Sequence, residues 1–112
     1  MPTKNPQEPF TRISIDEAEE ILRGDNVALI DVREPHEYEE GHLPGAKLLP
    51  VNSVLQRADE LPKDKDLVFV CAKGQRSALA AEMAAALGHT TQLYNIEGGT
   101  DAWREAGKPI EK

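Results

Sequence analysis

The chain has a single cysteine, a deficit of basic residues and no long apolar run. One thiol, Cys71, excludes an internal disulfide and a cysteine-rich metal site. No stretch approaches the ~20 apolar residues that a membrane helix needs, and the opening MPTKNPQEPF shows no secretory signal, so we expect a cytoplasmic protein. The 13 Lys and Arg residues against 20 Asp and Glu give a net charge of −7. Nucleic acid is therefore an unfavourable partner, because phosphate binding needs a basic face.

The length of 112 residues suits one domain. Apolar residues make up 39% of the chain and charged residues 29%, the balance of a globular protein rather than of a disordered tail. Three prolines fall within residues 1–9. We therefore expect a flexible arm over 1–9 and a single domain over 10–112.

Predicted strands and helices alternate along the chain, which indicates an α/β fold with a mostly parallel sheet. Ser14 and Glu17 have the spacing of a capping box at the start of the first helix. The helix over 77–87 carries only one charge, Glu82, which predicts packing on more than one side. Strands are predicted at 27–32, 46–49, 67–71 and 91–96, and helices at 14–24, 34–41, 52–60, 77–87 and 98–107.

The segment VFVCAKGQRSALAAEMAAAL places the only thiol where a buried strand leads into a helix predicted to begin near Ser77. In such folds, ligands bind beyond the carboxyl ends of the strands. Backbone N–H groups at a helix amino terminus contribute ~0.3–2 kcal/mol to a nearby anion. Lys73 and Arg76 add attraction, and Gly74 permits a tight turn around the sulfur. The pattern predicts a Cys71 thiolate at neutral pH rather than an inert buried side chain.

The loop CAKGQRS resembles the active-site loop of the rhodanese sulfurtransferases. Three further segments match that family in order: LIDVREPHEYEEGHLPGA (29–46), DLVFVC (66–71) and IEGGTDAW (96–103). The resemblance runs from about residue 10 to near the end of the chain. It implies an α/β, rhodanese-like domain, with a central, mainly parallel sheet of five strands and helices on both faces.

The resemblance implies a thiosulfate sulfurtransferase that works without metal or organic cofactor. The Cys71 thiolate would take sulfane sulfur from thiosulfate or a related small-molecule donor as a persulfide. It would then pass the sulfur to a thiophilic acceptor: cyanide, a thiol or a sulfur-relay protein. No nucleic acid or membrane would take part. The substrate-binding residues would be Ala72, Lys73, Gly74, Gln75, Arg76 and Ser77.

Individual loop positions carry different expectations from the family. Lys73 matches a position where a cation often meets the sulfonate of thiosulfate. Ala72 stands where some members have arginine, so a protein persulfide or another thiol is an alternative donor. Arg76 either faces the substrate or pairs with a carboxylate to brace the loop; the sequence leaves both open.

Asp31 and Arg33 end another central strand and are supporting residues beside the same crevice; a structural ion pair is favoured over direct catalysis. His42 belongs to the Gly-His-Leu-Pro-Gly-Ala signature, where a structural role is favoured. Two other functions stay open. Phosphatases or arsenate reductases of this fold have a longer loop between cysteine and arginine, whereas AKGQ has four residues and suits sulfur. A non-catalytic rhodanese-like binding module is the third possibility.

Overall fold

The computed structural model describes residues 2–89 and 91–112, which form one sheet flanked by helices. The strands are β1 (Thr3–Lys4), β2 (Thr11–Ile13), β3 (Val27–Asp31), β4 (Lys47–Leu48), β5 (Asp66–Val70) and β6 (Leu93–Ile96). The helices are α1 (Ile15–Ile21), α2 (Pro35–Glu39), α3 (Gln75–Ala86) and α4 (Gly99–Glu105), with 3₁₀ turns at Val51–Ser53 and Ala58–Glu60. The strand order is β1-β2-β6-β5-β3-β4. Within these ranges, no helix has the length and apolarity that crossing a bilayer requires.

Five strands, β2 to β6, pair in parallel as expected for the fold. A sixth strand, β1, pairs antiparallel with β2 through Thr3–Arg12 and Lys4–Thr11. The sequence predicted no strand in β1 or β2, because two or three residues are too few to show a period. Part of the segment 1–9 is thus hydrogen-bonded to the sheet. The flexibility of residues 1–9 and the domain limits 10–112 stay predictions.

Helices cover both faces of the sheet, as the fold class requires. Successive side chains of β5 point to opposite faces. Leu67 and Phe69 join one buried cluster with the alanines of α3. Val68 and Val70 join a second cluster with Ala18 of α1 and Trp103 of α4. Each fully buried side chain of this kind contributes roughly 1.5–3 kcal/mol relative to exposure, so the central strand is stabilised from both sides.

The first helix begins where the sequence predicted it. Ser14 is the N-cap, its hydroxyl accepts the N–H of Glu17, and the Glu17 carboxylate accepts the N–H of Ser14. This reciprocal pair satisfies two backbone donors that the first helical turn leaves unpaired.

One prediction about the helices is wrong. The predicted helix over 52–60 is replaced by two 3₁₀ turns, at Val51–Ser53 and Ala58–Glu60. The N–H of Val51 bonds to the carbonyl of Val32, which ties the start of this segment to the chain after β3. Bonds of the i→i+3 type then tighten the chain, and Val54 stays buried. The α3 helix contacts the sheet and also the 3₁₀ turn at Val51–Ser53, and a narrow stripe that includes Leu79 and Glu82 is exposed.

Candidate active site

Cys71 directly follows β5, and α3 begins only four residues later at Gln75. The helix therefore starts two residues before the predicted Ser77. Gly74 is the N-cap and has a φ of 103°, a left-handed conformation that glycine adopts without strain. A Cβ on Gly74 would meet only ordinary contacts, 3.4 Å or more. The glycine is thus needed for its left-handed backbone conformation, which makes the tight turn around the sulfur.

The Cys71 sulfur lies against hydrogen-bond donors of the loop and of the first turn of α3. The N–H of Gly74 donates to Sγ at 3.1 Å, and the Ser77 hydroxyl lies 3.3 Å from Sγ. Burial raises the pKa of the thiol, but the Ser77 hydroxyl and the N–H groups of Ser77, Gly74 and Lys73 lower it by more, so the net shift is downward. The start of a helix leaves N–H groups such as those of Gly74 and Ser77 without intrahelical partners. The N–H donors that the sequence predicted, together with the Ser77 hydroxyl, are thus the main groups that favour the thiolate.

The thiol forms part of the wall of an open pocket of about 200 Å³. Cys71 itself is 1% exposed, so the sulfur lies at the base of the pocket and not on its rim. The other lining residues are Ala72, Lys73, Gln75 and Arg76. A larger hollow of about 280 Å³, lined by Lys63 and Leu87 to His89, contains no thiol. The smaller pocket is therefore the one that can bring a ligand to the nucleophile.

Arg76 pairs with a carboxylate, one of the two roles that the sequence left open. Its guanidinium donates two hydrogen bonds to Glu37 of α2, at 2.7 and 3.0 Å. This fork geometry is the strong form of an ion pair. Chiefly because of these bonds, the pKa of Glu37 falls to about 2. Arg76 thus ties α3 to α2 beside the pocket, while Lys73 extends into solvent.

The start of α4 holds the carbonyl groups of the cysteine loop. Thr100 N–H donates to the Cys71 carbonyl at 2.8 Å, and Asp101 N–H donates to the Ala72 carbonyl at 3.1 Å. A Cβ at Gly99 would lie 2.3 Å from the Cys71 oxygen. Gly98 is the N-cap of α4, and Gly99 is its first residue. The second glycine is required because the loop and α4 approach each other so closely.

Asp31 and Arg33 form a buried, bidentate ion pair. The guanidinium contacts the Asp31 carboxylate at 2.8–3.1 Å, and both side chains are less than 5% exposed. Arg33 also donates to the carbonyl of Gly41. Neither residue lines the cysteine pocket, so the geometry is that of a structural pair and not of a group in contact with a ligand.

His42 and Trp103 also have structural surroundings. The ring of His42 stacks on Tyr38 with centroids 3.7 Å apart, and its Nδ1 lies 2.9 Å from the Tyr38 carbonyl. Trp103 is buried and donates from its indole N–H to the carbonyl of Pro109. Neither residue lines the pocket that contains Cys71.

Asn95 is a site residue that the sequence reasoning missed. It lies on β6 and is 2% exposed, with its amide between the Ser77 hydroxyl and the Gly74 carbonyl. The one available signal was an amide in the otherwise apolar strand LYNI. A buried polar side chain needs partners, but the sequence could not show that these partners surround the thiol.

The match of residues 14–106 to the rhodanese-like domain model covers most of the described fold and includes the cysteine loop. The chain belongs to the rhodanese-like domain family.

Curated relatives agree with this assignment. The chain is similar to the thiosulfate sulfurtransferase GlpE of Tolumonas auensis, with 32% identity over 95 residues, 85% of this chain and 89% of that protein. It is also similar to the uncharacterized protein YqhL of Bacillus subtilis, with 41% identity over 75 residues, 67% of this chain and 59% of that one. The matched part therefore spans less than two thirds of YqhL.

Solved structures share the whole fold. A rhodanese-related protein from Thermoplasma volcanium superposes with a TM-score of 0.78 and 30% identity, covering 89% of this chain and 96% of that one. A protein of unknown function from Rhodopseudomonas palustris, described as a possible tyrosine phosphatase, has a TM-score of 0.79 and 29% identity and covers 99% of both chains.

Proposed function

We propose that this protein is a sulfurtransferase in which Cys71 carries sulfane sulfur as a persulfide. The observation that carries the proposal is the hydrogen bonding of the sulfur: Gly74 N–H lies 3.1 Å from Sγ, and the N–H groups of Lys73 and Ser77 also stabilise its anion. The relationship to a thiosulfate sulfurtransferase at 32% identity supports the same chemistry. Donors fixed around an anion stabilise it without reorganisation.

The reaction proceeds in two balanced steps. The Cys71 thiolate attacks the outer sulfur of thiosulfate, the S–S bond of thiosulfate breaks, and sulfite leaves with the bonding electrons. The product is a cysteine persulfide, whose terminal sulfur is anionic. A thiophilic acceptor such as cyanide then attacks that terminal sulfur, forms thiocyanate and returns Cys71 to the thiolate.

In this proposal the two cations beside the pocket have separate tasks. Lys73 is exposed at the pocket wall, so its ammonium group is available to the sulfonate oxygens of a thiosulfate-like donor. Arg76 has both of its terminal nitrogens bonded to Glu37. It therefore holds the loop in place and contributes its charge at a distance. Thiosulfate is the assay donor; a protein persulfide or another thiol is the alternative that Ala72 leaves open.

Mass spectrometry of the intact chain tests this proposal. Incubation with thiosulfate should add one sulfur atom to the wild type, and cyanide should remove it with release of thiocyanate. Since Cys71 is the only cysteine, Cys71→Ser is a clean control that should gain nothing. A wild-type chain that gains no sulfur from thiosulfate, from a polysulfide or from a persulfide donor would favour the non-catalytic binding module.

Phosphatase chemistry is the second candidate, because one solved neighbour is described as a possible tyrosine phosphatase. Two features oppose it here. The loop between Cys71 and Arg76 has four residues, and the Arg76 guanidinium is already engaged by Glu37. It is thus not free to hold a phosphate oxyanion. Turnover of p-nitrophenyl phosphate above that of thiosulfate and cyanide would overturn the sulfur assignment.

A further inference from the structure

Three buried side chains form a continuous hydrogen-bonded row beneath the pocket. Cys71 Sγ lies 3.3 Å from Ser77 Oγ, and the Ser77 hydroxyl donates to Asn95 Oδ1. Asn95 Nδ2 donates to the Gly74 carbonyl at 3.1 Å. Ser77 is 0% exposed and Asn95 2%. The residue after β5, the first turn of α3 and β6 thus connect the nucleophile to a buried amide through the Ser77 hydroxyl.

The orientation of the Asn95 amide is fixed by its neighbour on the far side. The Gly74 carbonyl can only accept a hydrogen bond, so the NH₂ group must face it. The carbonyl oxygen of Asn95 therefore faces Ser77, and it can only accept. The Ser77 hydroxyl has a single hydrogen to give.

That single hydrogen has two acceptors once the thiol ionises. In the thiol form, the Cys71 S–H donates to Ser77 Oγ and the Ser77 O–H donates to Asn95, so every group is satisfied. In the thiolate form, both the sulfur and Asn95 Oδ1 need the same hydrogen. If the hydroxyl turns to the sulfur, the buried Asn95 oxygen loses its donor; if it does not, an oxygen lone pair faces the anion.

We propose that Asn95 is a positioning residue that sets the reactivity of Cys71 by competing with the sulfur for the Ser77 hydroxyl hydrogen. The proposal rests on the proposed function in taking Cys71 as the nucleophile. Because Asn95 engages the Ser77 hydroxyl hydrogen, the Cys71 thiol is harder to ionise than it would be if that hydroxyl were free to donate to the sulfur. Turning of the Ser77 hydroxyl then accompanies formation of the thiolate.

The charged groups around the thiol lie on several elements and would all remain in the variants that remove the amide. They are Lys73 in the loop, Arg76 on α3, Glu37 on α2, Glu97 after β6 and Asp101 on α4. Because Asn95 and Ser77 are uncharged, replacing either with alanine leaves this set unchanged. A shift in the titration of Cys71 then reports hydrogen bonding.

The test is the rate of iodoacetamide alkylation against pH, measured by intact mass on the full chain. Asn95→Ala frees the Ser77 hydrogen for the sulfur, so the thiol should titrate at lower pH. Its alkylation rate below that pH should rise roughly threefold to tenfold, as one hydrogen bond implies. Asn95→Asp also accepts the hydroxyl hydrogen and should slow alkylation, but its added negative charge beside the sulfur acts in the same direction, so the double-variant cycle decides between the two causes. Both variants lose the donor to Gly74, so loosening of the loop alone would move them in the same direction.

A double-variant cycle with Ser77→Ala separates competition from every other effect. In the Ser77→Ala background there is no hydroxyl to compete for. Adding Asn95→Ala there should not change the pH at which Cys71 titrates. An equal shift in both backgrounds, or a slower Asn95→Ala in the wild-type background, would overturn the proposal. Asn95→Leu, which keeps the branched shape of the side chain, repeats the measurement if the alanine variant loses its cooperative thermal transition.

Alkylation requires no sulfur donor, so this result is independent of the persulfide experiment. A chain that shows the opposed shifts but gains no sulfur would refute the sulfurtransferase assignment and keep the role of Asn95. A chain that gains sulfur but shows no opposed shifts would support the sulfurtransferase assignment and refute the role of Asn95.

Discussion

Replacing Gly99 with alanine tests whether close contact between α4 and the cysteine loop maintains the site. Gly99 has a φ of 59°, and a left-handed alanine costs ~1–2 kcal/mol. The added Cβ would lie 2.3 Å from the Cys71 oxygen and 2.6 Å from the Ala72 oxygen. Both are backbone atoms, so the helix and the loop must move apart by roughly 1 Å to reach normal contact.

That movement breaks the bonds from Thr100 and Asp101 to the loop carbonyls. Each bond contributes ~0.5–1.5 kcal/mol net. Together with the backbone cost, the free energy of unfolding should fall by about 2–5 kcal/mol, measured by urea denaturation followed by circular dichroism. Alkylation of Cys71 at neutral pH should slow as well, because the displaced loop no longer directs its N–H groups at the sulfur.

Gly107→Ala is the matched control. Gly107 also has a positive φ, 73°, but a Cβ there would meet nothing within 4 Å. It should therefore cost only the backbone part, ~1–2 kcal/mol, and leave alkylation unchanged. If Gly99→Ala were no more destabilising than Gly107→Ala, with equal alkylation, the proposed close contact would be wrong.

Three further predictions concern charged groups. The pKa of Glu37 is lowered from 4.5 to about 2, mainly by its hydrogen bonds to Arg76. A depressed carboxyl pKa gives stability that is complete above the unfolded value and is lost as pH falls toward 2; Glu37→Gln should flatten that acid loss in pH-dependent urea denaturation. Lys73→Ala should raise KM for thiosulfate and leave kcat nearly unchanged in a thiocyanate assay. Asp31→Asn leaves the buried Arg33 charge uncompensated and should lower the free energy of unfolding, measured by urea denaturation, by ~3–5 kcal/mol.

Each of these has a distinguishing control. If the stability of Glu37→Gln fell as steeply as that of the wild type below pH 4.5, the Glu37 carboxylate would not be a cause of the acid loss. Lys63→Ala, a lysine outside the cysteine pocket, should not change KM; equal effects at Lys63 and Lys73 would indicate a general charge effect. Removal of both partners, Asp31→Leu with Arg33→Leu, should destabilise less than Asp31→Asn alone.

The parts of the fold that the sequence predicted depend on neighbours in the chain. The capping pair Ser14 and Glu17 is three residues apart, and the apolar run 67–71 marks a strand by itself. The position of Cys71 at the end of that strand followed directly. In these cases the physical cause is local, so the local pattern was sufficient.

The parts that the sequence missed depend on distant residues. Arg76 and Glu37 are 39 positions apart, so only the packing of α2 beside α3 shows that the arginine is engaged. Asn95 reaches Ser77 because α3 packs against β6, a relationship that no spacing expresses. The sequence predicted the N–H donors around Cys71 from the nearby helix start, but it did not show that the Ser77 hydroxyl is the largest single hydrogen-bond contribution.

The two outermost strands have a consequence for the behaviour of the chain in concentrated solution. An edge strand with unpaired backbone groups can pair with a second chain, and proteins suppress this with short edge strands and lysine side chains. Here each edge strand is two residues long, and each contains a lysine, Lys4 in β1 and Lys47 in β4. The sheet thus offers little backbone for another molecule to extend, which favours resistance to β-aggregation.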